Sequence, residues 1–167
     1  RPHTTTTRRK QPSNIISNRR SSRPSALPLP QYLNGRVSIP ITKDWSGVMI
    51  EANQAKLREL QATYANHPDV KTVNRLVDFQ GPNTLDNILS ELSAPDDPAL
   101  ISIDIDGNDY YIFESLVRQK PELIVIEFNP TVPNDVLFVQ ERNLSVNHGC
   151  SLLALIALGA RQGYELA

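Results

Sequence analysis

The spacing of hydrophobic positions changes sharply near residue 44. Beyond it, short apolar runs alternate with stretches in which apolar residues recur every three or four positions. Val48-Met49-Ile50 follows Gly47 as a short run suited to a buried strand. Asn53 is placed to cap a helix carrying Leu57, Leu60 and Tyr64 at helical spacing, and His67-Pro68 stops it. Residues 70–77 read as a second strand. Thr84 caps a second helix with Leu85, Ile88, Leu89 and Leu92 on one face. Residues 100–105 (LISIDI) form a third strand, left at Gly107. A helix from near Asp109 presents Phe113, Leu116 and Val117. Residues 123–128 (LIVIEF) are the clearest buried strand, and residues 129–149 read as loop. Ser151 caps a last helix with Leu152, Leu155 and Ile156 inward, Gly163 ends it, and residues 164–167 begin a further strand. Strands separated by helices of this length predict βαβ units and an α/β fold with a mostly parallel sheet.

Residues 1–43 have none of this pattern. They hold nine Lys and Arg and no acid, whereas residues 44–167 hold eight bases and all eighteen acids, so the halves carry +9 and −10. Five prolines and many Ser, Thr and Arg in residues 1–35 leave too little apolar surface to offset ordering, so a disordered segment is expected. An organellar transit peptide or a phosphate-binding arm are the sharper readings. No amphipathic helix runs across the prolines, and no aromatic precedes Tyr32, which counts against nucleic acid. The compartment is left as cytoplasmic, or organellar if this segment is a transit peptide. Val37, Ile39 and Ile41 alternate with polar residues and Pro40, as an edge strand or an extended loop would. Residues 1–43 and 44–167 are thus the two expected units.

Composition narrows the classes further. The longest apolar run, residues 152–158, is far below the ~20 residues of a membrane-spanning helix. A single cysteine, Cys150, excludes an internal disulfide framework and a Cys-based zinc site within one chain.

Ligands of open parallel sheets bind beyond the carboxyl ends of the strands. In this chain each expected strand delivers an acid there: Glu51, Asp78, Asp104 with Asp106, and Glu127. Glu51 beside Asn53 could accept hydrogen bonds from vicinal ribose hydroxyls; the plainer alternative is charge stabilisation of a helix start. Asp78 could accept from an adenine amino group; the alternative is a solvated loop acid. Asp104 and Asp106, two apart on a strand, would share a side and could hold Mg²⁺ or orient an acceptor; the alternative is a hydrogen-bonded turn permitted by Gly107. The calcium-loop pattern fails, because its sixth and twelfth positions fall on Asp109 and Ser115. Glu127, inside an apolar strand end, needs a partner or a raised pKa, as a base or an anchor. His148 is a lone loop histidine, a type more often solvated than catalytic, and Tyr110 and Tyr111 read as packing residues.

Five stretches, in order, resemble FkbM-type S-adenosylmethionine-dependent methyltransferases. They are DWSGVMIEANQAKLREL (44–60), TLDNIL (84–89), LISIDIDGNDYYIFESL (100–116), PELIVIEFNP (121–130) and HGCSLLALIALGARQGYELA (148–167). The resemblance implies a class I methyltransferase fold, doubly wound and Rossmann-like. It implies S-adenosylmethionine as cofactor, with Glu51 as the ribose-binding acid and Asp104 and Asp106 at the methyl-transfer mouth. Taken with the strand-end reading, the expected cofactor-binding set is Glu51, Asn53, Asp78 and Asp104 and the expected catalytic set Asp104, Asp106 and Glu127, with no metal. The acceptor would be an oxygen or nitrogen of a small molecule or glycan. Ser102 and Asp106 stand where the family commonly has Lys and Glu.

The family's first strand and glycine-rich turn should precede Asp44, yet residues 1–43 hold one glycine, Gly35, and no G-x-G. The expectation is therefore an incomplete sheet whose strand pairs lack their shared central neighbour. As an isolated chain it would bind cofactor weakly or be inactive, and its open edges could self-associate. A non-catalytic remnant or interaction module is the alternative, and a divalent-metal hydrolase ranks last.

Overall fold

The computed structural model describes residues 31–33, 36–38 and 46–167. Two short strands, β1 (Gln31–Leu33) and β2 (Arg36–Ser38), pair antiparallel. Thus Val37 does lie in a strand, while Ile39 and Ile41 fall outside the described residues. The disorder expected across residues 1–43 also lies outside them, these two strands apart.

The remaining elements follow the alternation read above. β3 (Gly47–Glu51) leads into α1 (Gln54–Thr63) and β4 (Val70–Asn74). α2 (Leu85–Glu91) follows, then β5 (Leu100–Ile103), α3 (Asp109–Glu114), β6 (Leu123–Ile126) and α4 (Leu152–Gln162). β3 pairs parallel with β4, and β5 pairs parallel with β6. The fold is α/β, with parallel strands joined through helices. Among the described residues the two pairs are separate two-stranded sheets, and no ladder joins β3 to β5. A single continuous doubly wound sheet is therefore absent from the described residues.

The caps act as their residue types dictate. Asn53 Oδ1 accepts from the amides of Ala55 (2.9 Å) and Lys56 (3.1 Å), Thr84 Oγ1 accepts from Asn87 N, and Ser151 Oγ accepts from Ala154 N. Gly163, at φ 87°, closes α4 in the left-handed conformation. Leu85, Ile88 and Leu89 of α2 are fully buried and join Val48, Ile50, Ile101, Ile103, Ile112 and Leu158 in one core. That core spans both strand pairs, so side-chain packing unites them where backbone hydrogen bonds do not. Each such side chain contributes roughly 1.5–3 kcal/mol of burial.

Several boundaries differ from the expectation. β4 ends at Asn74, whose Nδ2 turns back to the carbonyls of Glu51 (2.7 Å) and Ala52 (3.0 Å). β5 ends at Ile103, because Asp109 captures the next free amide, Ile105 N, at 2.9 Å. α3 stops at Glu114, leaving Val117 75% exposed. β6 is half-buried throughout, not buried, since only β5 lies beside it among the described residues. In α4 the inward residues are Ala154, Leu155 and Leu158, while Ile156 faces solvent. Residues 164–167 form no strand. No helix among the described residues is long and apolar enough to cross a membrane.

One polar clamp ties α2 to the segment after α3. The Asp86 carboxylate accepts from the amides of Val117 (2.8 Å), Arg118 (2.9 Å) and Gln119 (3.0 Å). Asp86→Ala leaves these donors without their anion and is expected to cost ~1–3 kcal/mol, read as a lower urea midpoint. Asp86→Asn, which keeps one acceptor oxygen, should lose less.

Candidate functional site

The parallel register fixes the central pair of acids. Ile103 lies opposite Ile126, and Glu127 N donates to Ile103 O at 3.2 Å. The next residues, Asp104 and Glu127, are therefore neighbours at the carboxyl ends of β5 and β6. Ile103 and Ile126 pack toward the core, so alternation turns Asp104 and Glu127 to the other side.

Asp106 joins them by a different route from the expected one. The strand has already ended, so alternation does not place it. The chain turns instead, with Asp106 at φ 58° and Gly107 at φ 138°. Aspartate tolerates the left-handed region better than most residues. Asp109 holds this turn: its Oδ1 accepts from Ile105 N and its Oδ2 from Gly107 N, both at 2.9 Å. One carboxylate oxygen from each of Asp104, Asp106 and Glu127 lies within 4.8 Å of the others, a spacing that one divalent cation could span. The hydrogen-bonded turn and the gathering of acids are thus the same feature.

Crowding shifts the protonation of this group. Glu127 ends in the open but is partly desolvated, and with Asp104 and Asp109 nearby its pKa rises from 4.5 to about 7. Burial and the Asp109 charge also raise Asp104. The side-chain interaction between the two carboxyls lowers Asp104 and raises Glu127. Lys56, from α1, lowers Asp104 and links the β3–β4 half electrostatically to this cluster. Burial raises Asp109 as well, against the backbone bonds it accepts. Glu127 was expected inside a strand; it lies one residue past β6 and is exposed, yet desolvation is still the largest cause of its raised pKa, followed by the Asp104 and Asp109 charges.

A cleft of about 130 Å³ opens beside the cluster, lined by Asp106, Glu127, Asn129, Asn147, His148 and neighbouring residues. His148 is exposed at this wall, its backbone carbonyl accepting from Asn129 Nδ2 at 2.8 Å. Tyr110 and Tyr111 pack against each other edge to face, and Tyr111 also packs against Phe79. Cys150 is fully buried, and its thiol is pushed up to about 12, chiefly by burial, which makes it a poor nucleophile.

The other acids lie at separate strand ends. Glu51 closes β3 with 4% of its surface exposed. Its Oε1 accepts from Asn53 N at 2.7 Å, and its Oε2 is buried with no partner among the described residues. The Asn53 side-chain oxygen is committed to capping α1. Asp78 Oδ1 accepts from Phe79 N (2.7 Å) and Gln80 N (3.3 Å), closing its own turn. Neither Glu51 nor Asp78 belongs to the three-acid group. Asn129, which follows Glu127 at the same strand end in the sequence, does line the cleft. Asp109, Asn147 and Gln140 were not singled out as site residues from sequence; the last two lie in a stretch without periodicity.

Because the folded state holds the Glu127 proton above its ordinary pKa, this group's contribution to stability is fully present below about 4.5 and is lost as pH rises through about 7. The urea midpoint is expected to fall across that window, and Glu127→Gln should flatten the fall. An unchanged slope in the variant would show that Glu127 titrates normally. In comparisons with known proteins, no family model, no curated protein and no solved structure matches this chain.

Proposed function

We propose that this domain binds S-adenosylmethionine and serves methyl transfer to an oxygen or nitrogen of a small-molecule or glycan acceptor. The observation that carries the reading is Glu51. It is a buried carboxylate at the carboxyl end of a parallel strand, oriented by the Asn53 amide at 2.7 Å, and its second oxygen has no hydrogen-bond partner among the described residues. A buried acceptor left unsatisfied is costly, and a hydroxyl donor from a ligand would relieve it. The ribose hydroxyls of a nucleoside cofactor are donors of that kind, at the place where such folds take their ligands. Asp78 would face the adenine end.

When bound, the cofactor supplies an electrophilic methyl on a sulfonium. The chain's own residues provide orientation and a proton acceptor. Asp104 and Asp106 are placed to accept hydrogen bonds from an acceptor hydroxyl or amine. Glu127, with its pKa near neutrality, is suited to take the proton released as the acceptor is methylated. Holding the two reactants in line would supply most of the acceleration.

Calorimetry with S-adenosylmethionine tests the reading. Binding by residues 1–167 alone is expected to be weak, because residues 1–43 carry no glycine-rich turn, so the titration is carried to saturation. Glu51→Ala should weaken it by a further ~10–150-fold, the loss of ~1.5–3 kcal/mol of charge-assisted hydrogen bonding. Glu127→Gln should keep the affinity and lower methyl transfer by ~10²–10⁴-fold. Absence of binding at saturating cofactor would leave a non-catalytic interaction module. Magnesium-dependent hydrolysis without cofactor would assign the three acids to a metal instead.

A further inference from the structure

Part of the wall of the cleft that Glu127 also lines belongs to residues 147–149, which with Val146 before them have no regular secondary structure. Asn147 and His148 are exposed, so apolar burial does not hold them in place. What holds the segment is Gln140, which is only 3% exposed. Its Oε1 accepts from His148 N and from Gly149 N, each at 2.7 Å, and its Nε2 donates to Val146 O at 2.8 Å. Its backbone adds a bond from Gln140 N to Gly149 O (3.0 Å), and its carbonyl accepts from Tyr111 Oη (2.6 Å), anchoring it to α3. One amide side chain thus satisfies both ends of its polarity on a single wall.

That wall sits directly on the acid turn. A Cβ at Gly107 would lie 2.7 Å from Val146 O, 2.9 Å from Asn147 Cα and 3.1 Å from Gln140 Oε1. Asn108 Nδ2 adds a bond to Asn143 O at 3.0 Å. The turn that carries Asp106 and the wall that carries His148 are therefore registered against each other, with Gln140 at the joint.

We propose that Gln140 is the positioning residue of this cleft, fixing residues 147–149 as part of the wall of the cleft that Glu127 and Asp106 also line. It touches no reacting atom; it acts through His148 and Gly149. Its role for an acceptor rests on the methyl-transfer reading above, but the wall itself can be tested without cofactor or acceptor.

The test uses the full chain and Gln140→Met, which keeps volume and removes the hydrogen bonds. Amide exchange at His148 and Gly149 is expected to quicken at least ~10-fold, the factor that one lost hydrogen bond carries, while Leu155 and Leu158 amides in α4 keep their rates. The His148 imidazole proton resonance should move from its wild-type position, while that of His67, held against Tyr64 beyond α1, stays where it is. A merely structural role would change α4 exchange and the urea midpoint instead. Gly107→Ala, which presses on the same wall from the other side, should shift the His148 resonance too, and it serves if Gln140→Met does not fold. Unaltered exchange and an unaltered His148 signal in the folded variant would overturn the proposal. Failure of the wild-type chain to bind S-adenosylmethionine would strike the functional reading and leave the wall as described.

Discussion

The parallel register of β5 and β6 is the constraint on which the site depends. Once Ile103 stands opposite Ile126, the chain has no freedom to separate Asp104 from Glu127. Two unit charges about 4 Å apart repel by roughly 4 kcal/mol at an effective dielectric of about 20. Partial burial and this repulsion together, burial first, raise the Glu127 pKa to about 7. Asp106 adds a further negative charge through the turn that Asp109 ties, and Lys56 offsets part of it from α1. The chemistry of the rim thus follows from strand pairing and one turn.

The scaffold around that rim is held in an unusual way. β3–β4 and β5–β6 share no ladder among the described residues, so their relative placement rests on α2 and the core residues it buries, with Asp86 clamping the segment after α3. The consequence for function is direct. Glu51 and the three-acid group stand at the ends of strands in different pairs, and a ligand touching both would bridge them. Apolar packing is less directional than a hydrogen-bonded ladder, so bound ligand is expected to stiffen the arrangement.

Much of the fold could be read from local chemistry. Asn53, Thr84 and Ser151 cap the helices they were expected to cap, because a short polar side chain before an apolar period has few other uses. Strand existence followed from the apolar runs, but strand ends did not. Asn74 and Asp109 set those ends through side-chain bonds to residues 20 or so positions away or across a turn, which periodicity does not encode. Val117 and Ile156 were placed inward on helical spacing, yet α3 stops early and α4 is rotated to bury Ala154 and Leu158. The gathering of Asp104, Asp106 and Glu127 was legible as acids at strand ends, although Asp106 arrives by a left-handed turn and not by alternation. Gln140 left no trace in the sequence, since its importance lies in partners brought to it by the fold.

The most direct test of the account is the titration of the Glu127 carboxyl itself, followed by carbon-13 NMR with Asp104→Asn as the control. The account predicts a midpoint of about 7 in the native chain, falling in the variant as the neighbouring charge is removed. A midpoint at the ordinary 4.5 in both proteins would mean that neither burial nor the Asp104 charge shifts this carboxyl, and would contradict the proposed base at this rim.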